Sequence, residues 1–75
     1  MREVKVGHLY KHFKGKKYKV LMIAIDASTE EKLVIYQAQY KDKSIWARPY
    51  NEFISEVDHV KYPNVKEKYR FEEIN

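Results

Sequence analysis

The sequence predicts a mainly β fold, a small five-stranded barrel or roll with one short helix or 3₁₀ turn near residues 51–57, and three observations carry that prediction. Residues 33–50, LVIYQAQYKDKSIWARPY, alternate with the period of two that sends successive side chains to opposite faces of a strand, on both sides of a polar turn. Residues 18–25, YKVLMIAI, open with the same alternation and become almost wholly apolar, which suits a strand at the centre of a sheet. Finally, 75 residues with no Cys make one domain, 1–75, whose thin core must hold without disulfide or thiolate-metal staples.

Taken in order, residues 1–5 are polar and are expected to fray. A first strand follows near His8–Phe13, then a short Gly-containing link at Lys14–Lys17, then the strand over Tyr18–Ile25, whose middle is expected to be buried on both sides. Asp26–Lys32 is a polar loop with Ser28 and Glu31 in capping-box spacing, enough for one helical turn at most. With Asp42 and Lys43 as the central pair of a tight turn, Tyr40 falls opposite Ile45, Ala38 opposite Ala47 and Tyr36 opposite Pro49. That register sends Tyr36, Ala38, Ile45 and Ala47 to the core with Val20 and Ile23, and gives the other face Gln39 opposite Trp46, Gln37 opposite Arg48 and Ile35 opposite Tyr50. A slip of one residue would exchange the two sets.

Beyond Pro49, Asn51 stands as an N-cap before Phe53, Ile54 and Val57, one face of a short helical segment. Asp58–Lys68, with Pro63 and scattered charge, reads as a crossing segment, and Tyr69–Ile74 as a last short strand. Strand, link, strand, loop, hairpin, helical turn and terminal strand is the element order of a Src-homology-3-like small barrel.

Net charge is +4, and it is local: residues 1–25 hold seven Lys or Arg against one acid, while residues 26–75 hold eight against ten. With no basic n-region leading into an apolar stretch, and no apolar run approaching the ~18 residues of a spanning helix, the expectation is a soluble cytoplasmic protein without membrane contact.

Catalytic signatures are weak. His8 and His12 have metal-pair spacing for a helix, but four residues of strand span ~13 Å, so no metal or other cofactor is expected. No Ser sits in a nucleophile elbow, no Gly-rich phosphate loop exists, and Glu30-Glu31 reads as a solvated loop rather than an acid/base pair, so no catalysis is expected. Binding chemistry is better represented. Tyr10–Lys19 holds five lysines, His12 and three aromatics without one acid, and the mixed face of the hairpin adds Trp46, Arg48 and Tyr50 beside Gln37 and Gln39. Cations that follow phosphates and rings that stack on bases suit single-stranded nucleic acid or a nucleotide, with Trp46, Arg48, Gln37, Gln39, Tyr50, Lys11, Lys14 and Lys16 as the candidate binding residues. The alternative is a protein-interaction module that recognises a peptide or an acidic partner through a flatter apolar or aromatic groove of mixed charge, with no activity of its own; a purely structural reading instead has the same aromatics fill the core and Arg48 held by Glu52 or a backbone carbonyl.

A set of residues spread over nearly the whole chain also carries a resemblance: Gly7, Tyr10-Lys11-His12-Phe13-Lys14-Gly15, Tyr18 and Val20, then Leu33–Ala38, Tyr40, Asp42, Trp46, Arg48-Pro49, Phe53 and Arg70-Phe71. In these positions the chain resembles the small bacterial domain-of-unknown-function family 1653. The resemblance implies a compact β-rich bacterial domain and assigns no activity. Where that family tends to carry a His-(Ser or Thr)-Glu-Thr run, this chain reads Asp26-Ala27-Ser28-Thr29, so any chemistry shared by that His and Glu is not expected here.

Overall fold

The computed structural model describes residues 2–74. Its strands are β1 (Leu9–His12), β2 (Lys17–Ile25), β3 (Lys32–Ala38), β4 (Ile45–Pro49) and β5 (Phe71–Glu73), with one helical turn, α1 (Tyr50–Phe53), between β4 and β5. They form one antiparallel sheet in the order β4-β3-β2-β1-β5. The mainly β prediction therefore holds, as an open sheet whose outer strands β4 and β5 do not pair.

The β1–β2 hairpin closes where the Gly-containing link was expected. His12 N–H donates to Lys16 O at 2.8 Å, and Gly15, at φ 103°, takes the left-handed conformation that would cost another residue about 1–2 kcal/mol. The second hairpin departs from expectation. Instead of a two-residue turn, a loop runs from Gln39 to Lys43, with Lys41 at φ 50° and Lys43 at φ 56°. Ala38 N–H donates to Ser44 O at 2.9 Å, Lys43 N–H to Tyr40 O at 3.1 Å, and Asp42 Oδ1 accepts from Ser44 N–H at 3.1 Å. A tight I′ turn needs adjacent residues at positive φ, normally Asn or Gly, and this stretch has neither. Tyr40 leaves the strand instead, and its hydroxyl meets that of Tyr18 at 2.9 Å.

The longer loop shifts the register by three residues, so Tyr36 lies opposite Trp46, Val34 opposite Arg48 and Gln37 opposite Ile45. An odd shift turns β4 over. Ile45 and Ala47, expected in the core, are exposed, and Ile45 keeps 60% of its surface, whereas Trp46 and Arg48 join the face of Tyr36 and Ala38.

That inner face carries the core: Val34, Tyr36 and Ala38 on β3, Val20 on β2, Tyr10 on β1 and Phe71 on β5 are buried. α1 lowers Phe53 onto it, stacking the ring on Phe71 at 4.1 Å and 7°, with Tyr10 and Tyr36 edge-on at 5.4 Å. Full burial of such a ring stabilises by about 1.5–3 kcal/mol. Ile23, beyond the irregularity between Val20 and Met22, is half-buried against the same cluster. The outer face has no cover, which is why Met22, expected to be buried, is 52% exposed.

Two local expectations are also corrected, and a third, the polar loop after β2, holds with other hydrogen bonds than a capping box. Residues 2–5 are tied down: Arg2 donates from Nη1 to Ile54 O at 2.9 Å and from Nη2 to Phe71 O, while Val4 and Lys5 N–H each donate to a tyrosine hydroxyl at 2.9 Å, Tyr50 and Tyr10 respectively. The helical turn is capped by Pro49, without a side-chain bond, rather than by Asn51, because Pro at φ −52° already presets the entry. In place of a capping box, Asp26 Oδ1 accepts from Ser28 and Thr29 N–H at 2.8 and 3.1 Å, and Glu30 takes φ 63°, so 26–31 is a turn.

Candidate functional site

Side chains at alternate positions of β1 to β5 share the inner face, and at the end nearest the β1–β2 turn they are cationic and aromatic. Arg48 stands at its centre. Its Nε donates to Tyr36 Oη at 3.0 Å, its Nη1 pairs with Glu52 Oε1 at 2.6 Å, and its Cζ lies 5.6 Å from the Phe71 ring centre. Burial would lower the Arg48 pKa, but the Tyr36 bond and Glu52 outweigh it and raise the pKa above the usual value. β4 supplies Arg48 and Trp46 from one face, two residues apart, and α1 supplies Glu52 four residues on from Arg48, where a carboxylate meets the guanidinium.

Beyond Phe71 stands His12, edge-on to that ring at 4.9 Å and 4.5 Å from Phe13. Its Nδ1 accepts Lys14 N–H at 3.1 Å, so the neutral ring carries its proton on Nε2. Burial, followed by the charges of Arg48, Arg70 and Lys14, pushes its pKa down to about 4. Arg70 Nε is held by Ser55 Oγ at 3.2 Å. On the other flank Tyr18 packs on Tyr36 at 5.2 Å and bonds Tyr40, and burial first, then that bond, raises its pKa to about 12. Lys16 Nζ lies 5.0 Å from the Tyr40 ring, and Lys14 Nζ lies 5.4 Å from that of Tyr62. The Tyr62 pKa is lowered: burial acts to raise it and is outweighed by Lys14 and Lys61.

An unbroken chain of contacts thus runs from Lys16 through Tyr40, Tyr18, Tyr36, Arg48, Phe71 and His12 to Phe13, Tyr62 and Lys14, with Trp46, 52% exposed, beside Tyr36. Glu52 is the carboxylate that enters it. Such an end offers flat rings to a planar group and cations to an anionic one.

Of the residues singled out from sequence, Trp46, Arg48, Lys14 and Lys16 belong to this end. Gln37 does not lie opposite Arg48; it is on the outer face, where its Nε2 donates to Lys43 O at 2.9 Å. Gln39 Nε2 donates to Gln37 O at 3.2 Å, so both amides brace the loop. Lys11, paired in register with Lys17 and Glu72, also faces outward. Tyr50 lines a separate cleft of about 540 Å³ with Arg2, Glu3, Glu31, Lys32 and Asn51. Sequence reasoning missed Tyr36 as the hydrogen-bond partner of Arg48, and did not place Tyr40 and Arg70 at this end or bring His12 and Tyr18 to it through Phe71 and Tyr36. Alternation had placed Tyr36 inside, but the wrong register put Arg48 on the other face. Among the described residues no three His, Asp or Glu side chains gather as a metal-ligand set, and no helix is long and apolar enough to cross a membrane.

No curated protein and no solved structure matches the chain. A family described as protein of unknown function (DUF1653) matches over residues 8–73, a span that contains all five strands, α1 and the whole chain of contacts around Arg48. The motif residues around His12, Tyr36, Arg48 and Phe71 that suggested the resemblance are thus the residues the fold brings together, and the chain belongs to the DUF1653 family.

Proposed function

We propose that this domain binds single-stranded nucleic acid, or a nucleotide, across the inner-face end formed by Trp46, Arg48, Tyr40, His12, Lys14 and Lys16. The observation that carries the reading is the company His12 keeps: a neutral imidazole on an aromatic floor, in the combined positive field of Arg48, Arg70 and Lys14. Bases stack on exposed rings, phosphates follow the lysines, and neither needs a deep pocket. The reading takes the curled sheet as Src-homology-3-like and its setting as the bacterial cytoplasm, supported by element order and by the family resemblance.

Trp46 is the single tryptophan, so its emission reports binding directly. Titration with oligo-dT, oligo-U, a duplex of equal length and polyglutamate is the test. Quenching by the single strands that weakens with salt is expected; Trp46→Ala, which removes that emission and is read instead from the anisotropy of a labelled oligo-dT, should cost about 1–3 kcal/mol of binding, and Lys16→Glu a smaller amount. Saturation by polyglutamate in preference to the oligonucleotides would identify an acidic protein partner instead, and no response to any of the four would overturn the proposal.

A further inference from the structure

The two outer strands of the sheet are not alike. β5 has three residues, two of them Glu72 and Glu73, and Glu73 is engaged by His8 and Lys5, a short charged edge of the kind that resists pairing. β4 presents Ile45, Trp46 and Ala47 in succession, all exposed and none charged. Its one cation, Arg48, turns inward to Tyr36 and Glu52.

The hydrogen-bond pattern of β4 follows from one contact. Ala38 N–H donates to Ser44 O, so the pairs Ala38–Ser44, Tyr36–Trp46 and Val34–Arg48 are the hydrogen-bonded ones, and the backbone groups of Ile45, Ala47 and Pro49 point away from β3. Pro49 has no N–H to present there, which fits an edge position. The edge therefore offers N–H and C=O of Ile45 and Ala47, with Pro49 and the left-handed Lys43 ending it on either side.

We propose that this edge pairs with the same edge of a second copy, joining two sheets into one through antiparallel β4 strands. The pattern complements itself under a two-fold axis in a single register. With Trp46 opposite Trp46 of the other copy, Ile45 meets Ala47 and Ala47 meets Ile45, each pair exchanging both backbone hydrogen bonds. Moving the axis to Ala47 would set Ile45 against Pro49 and lose a donor at each end. In the favoured register the lysines and Arg48 face Pro49 and Ser44 rather than one another. The outer-face row of Met22, Ile35 and Ala47 then continues into Ile45 of the second copy, covering apolar surface that one chain leaves in water. The two indoles lie side by side on the inner face. Pairing is independent of whether that face binds nucleic acid.

Sedimentation velocity from low micromolar to near-millimolar protein tests it, with Trp46 emission recorded on the same samples. The expected result is a species of twice the 9.1 kDa chain mass that grows with concentration, with a blue-shifted emission. Ala47→Pro removes an outward N–H that β3 does not use, and Ile45→Lys places a charge on the edge without touching the core; both are expected to stay monomeric with little change in melting temperature. A wild type that stays monomeric at near-millimolar concentration would leave the edge to an extended segment of another protein and overturn self-pairing. Dimers that persist in folded Ile45→Lys and Ala47→Pro would overturn the assignment to β4.

Discussion

Arg48 and Tyr36 stand on adjacent strands of one face, and the guanidinium Nε donates to the phenol oxygen at 3.0 Å while its Nη1 pairs with Glu52. The arrangement ties β4 to β3 and both to α1, and it leaves the planar cation over the edge of the buried aromatic cluster. Arg48→Ala should lower stability by about 1–3 kcal/mol, the cost of two lost charge-assisted bonds, one of them an ion pair, and of an exposed cluster rim. Glu52→Gln, at a more exposed position, should cost less than about 1 kcal/mol. Chemical denaturation of both variants measures the two, and a stability loss larger for Glu52→Gln than for Arg48→Ala would contradict the clamp.

The reversed face of β4 is open to a mutational comparison. Phe53→Ala, at a fully buried ring stacked on Phe71, should cost about 3–5 kcal/mol, a large share of a small domain's margin. Ile45→Ala should cost less than about 1 kcal/mol because its side chain stands in water. Ile23→Ala, half-buried against the cluster, should fall near the lower end of about 2–5 kcal/mol. An Ile45 substitution as damaging as that at Phe53 would restore the tight-turn register.

His12 makes stability depend on acid. Its folded pKa of about 4 lies below the 6.5 of an ordinary histidine, so between those values the unfolded chain binds the extra proton. Its contribution is complete above about pH 6.5 and falls away as the pH drops toward 4, and after allowance for solvent screening it should reach about 1–2 kcal/mol. His12→Gln should flatten the stability profile across that window. Observation of the His12 ring resonances by NMR should give a midpoint well below that of a free histidine, and an ordinary midpoint would show that the ring is not held as described.

The loop that sets the register carries its own strain. Lys43 at φ 56° occupies a conformation that Asn and Gly accept more readily than a long side chain does. Lys43→Asn should therefore raise stability by about 0.5 kcal/mol, read from the denaturation midpoint at unchanged slope.

The chain's alternation determined by itself that this is a β protein: 9–12, 17–25 and 32–38 became strands within a residue or two of expectation, and the Pro49 boundary and the terminal strand at Phe71 were legible too. Period-two patterning, β-branched content and turn residues act locally, so they can be read locally. Which face each residue occupies is decided at longer range. The turn at 39–44 chose its geometry because Tyr40 reaches Tyr18, twenty-two positions away, and that choice turned β4 over, taking Ile45 out of the core and bringing Arg48 to Tyr36. The cover is long-range as well, since α1 and the Arg2–Lys5 segment fall on one face of the sheet and leave Met22 in water on the other. A side-chain period of two makes every strand's outlook a matter of parity, and parity across a loop is fixed by contacts that no local pattern contains.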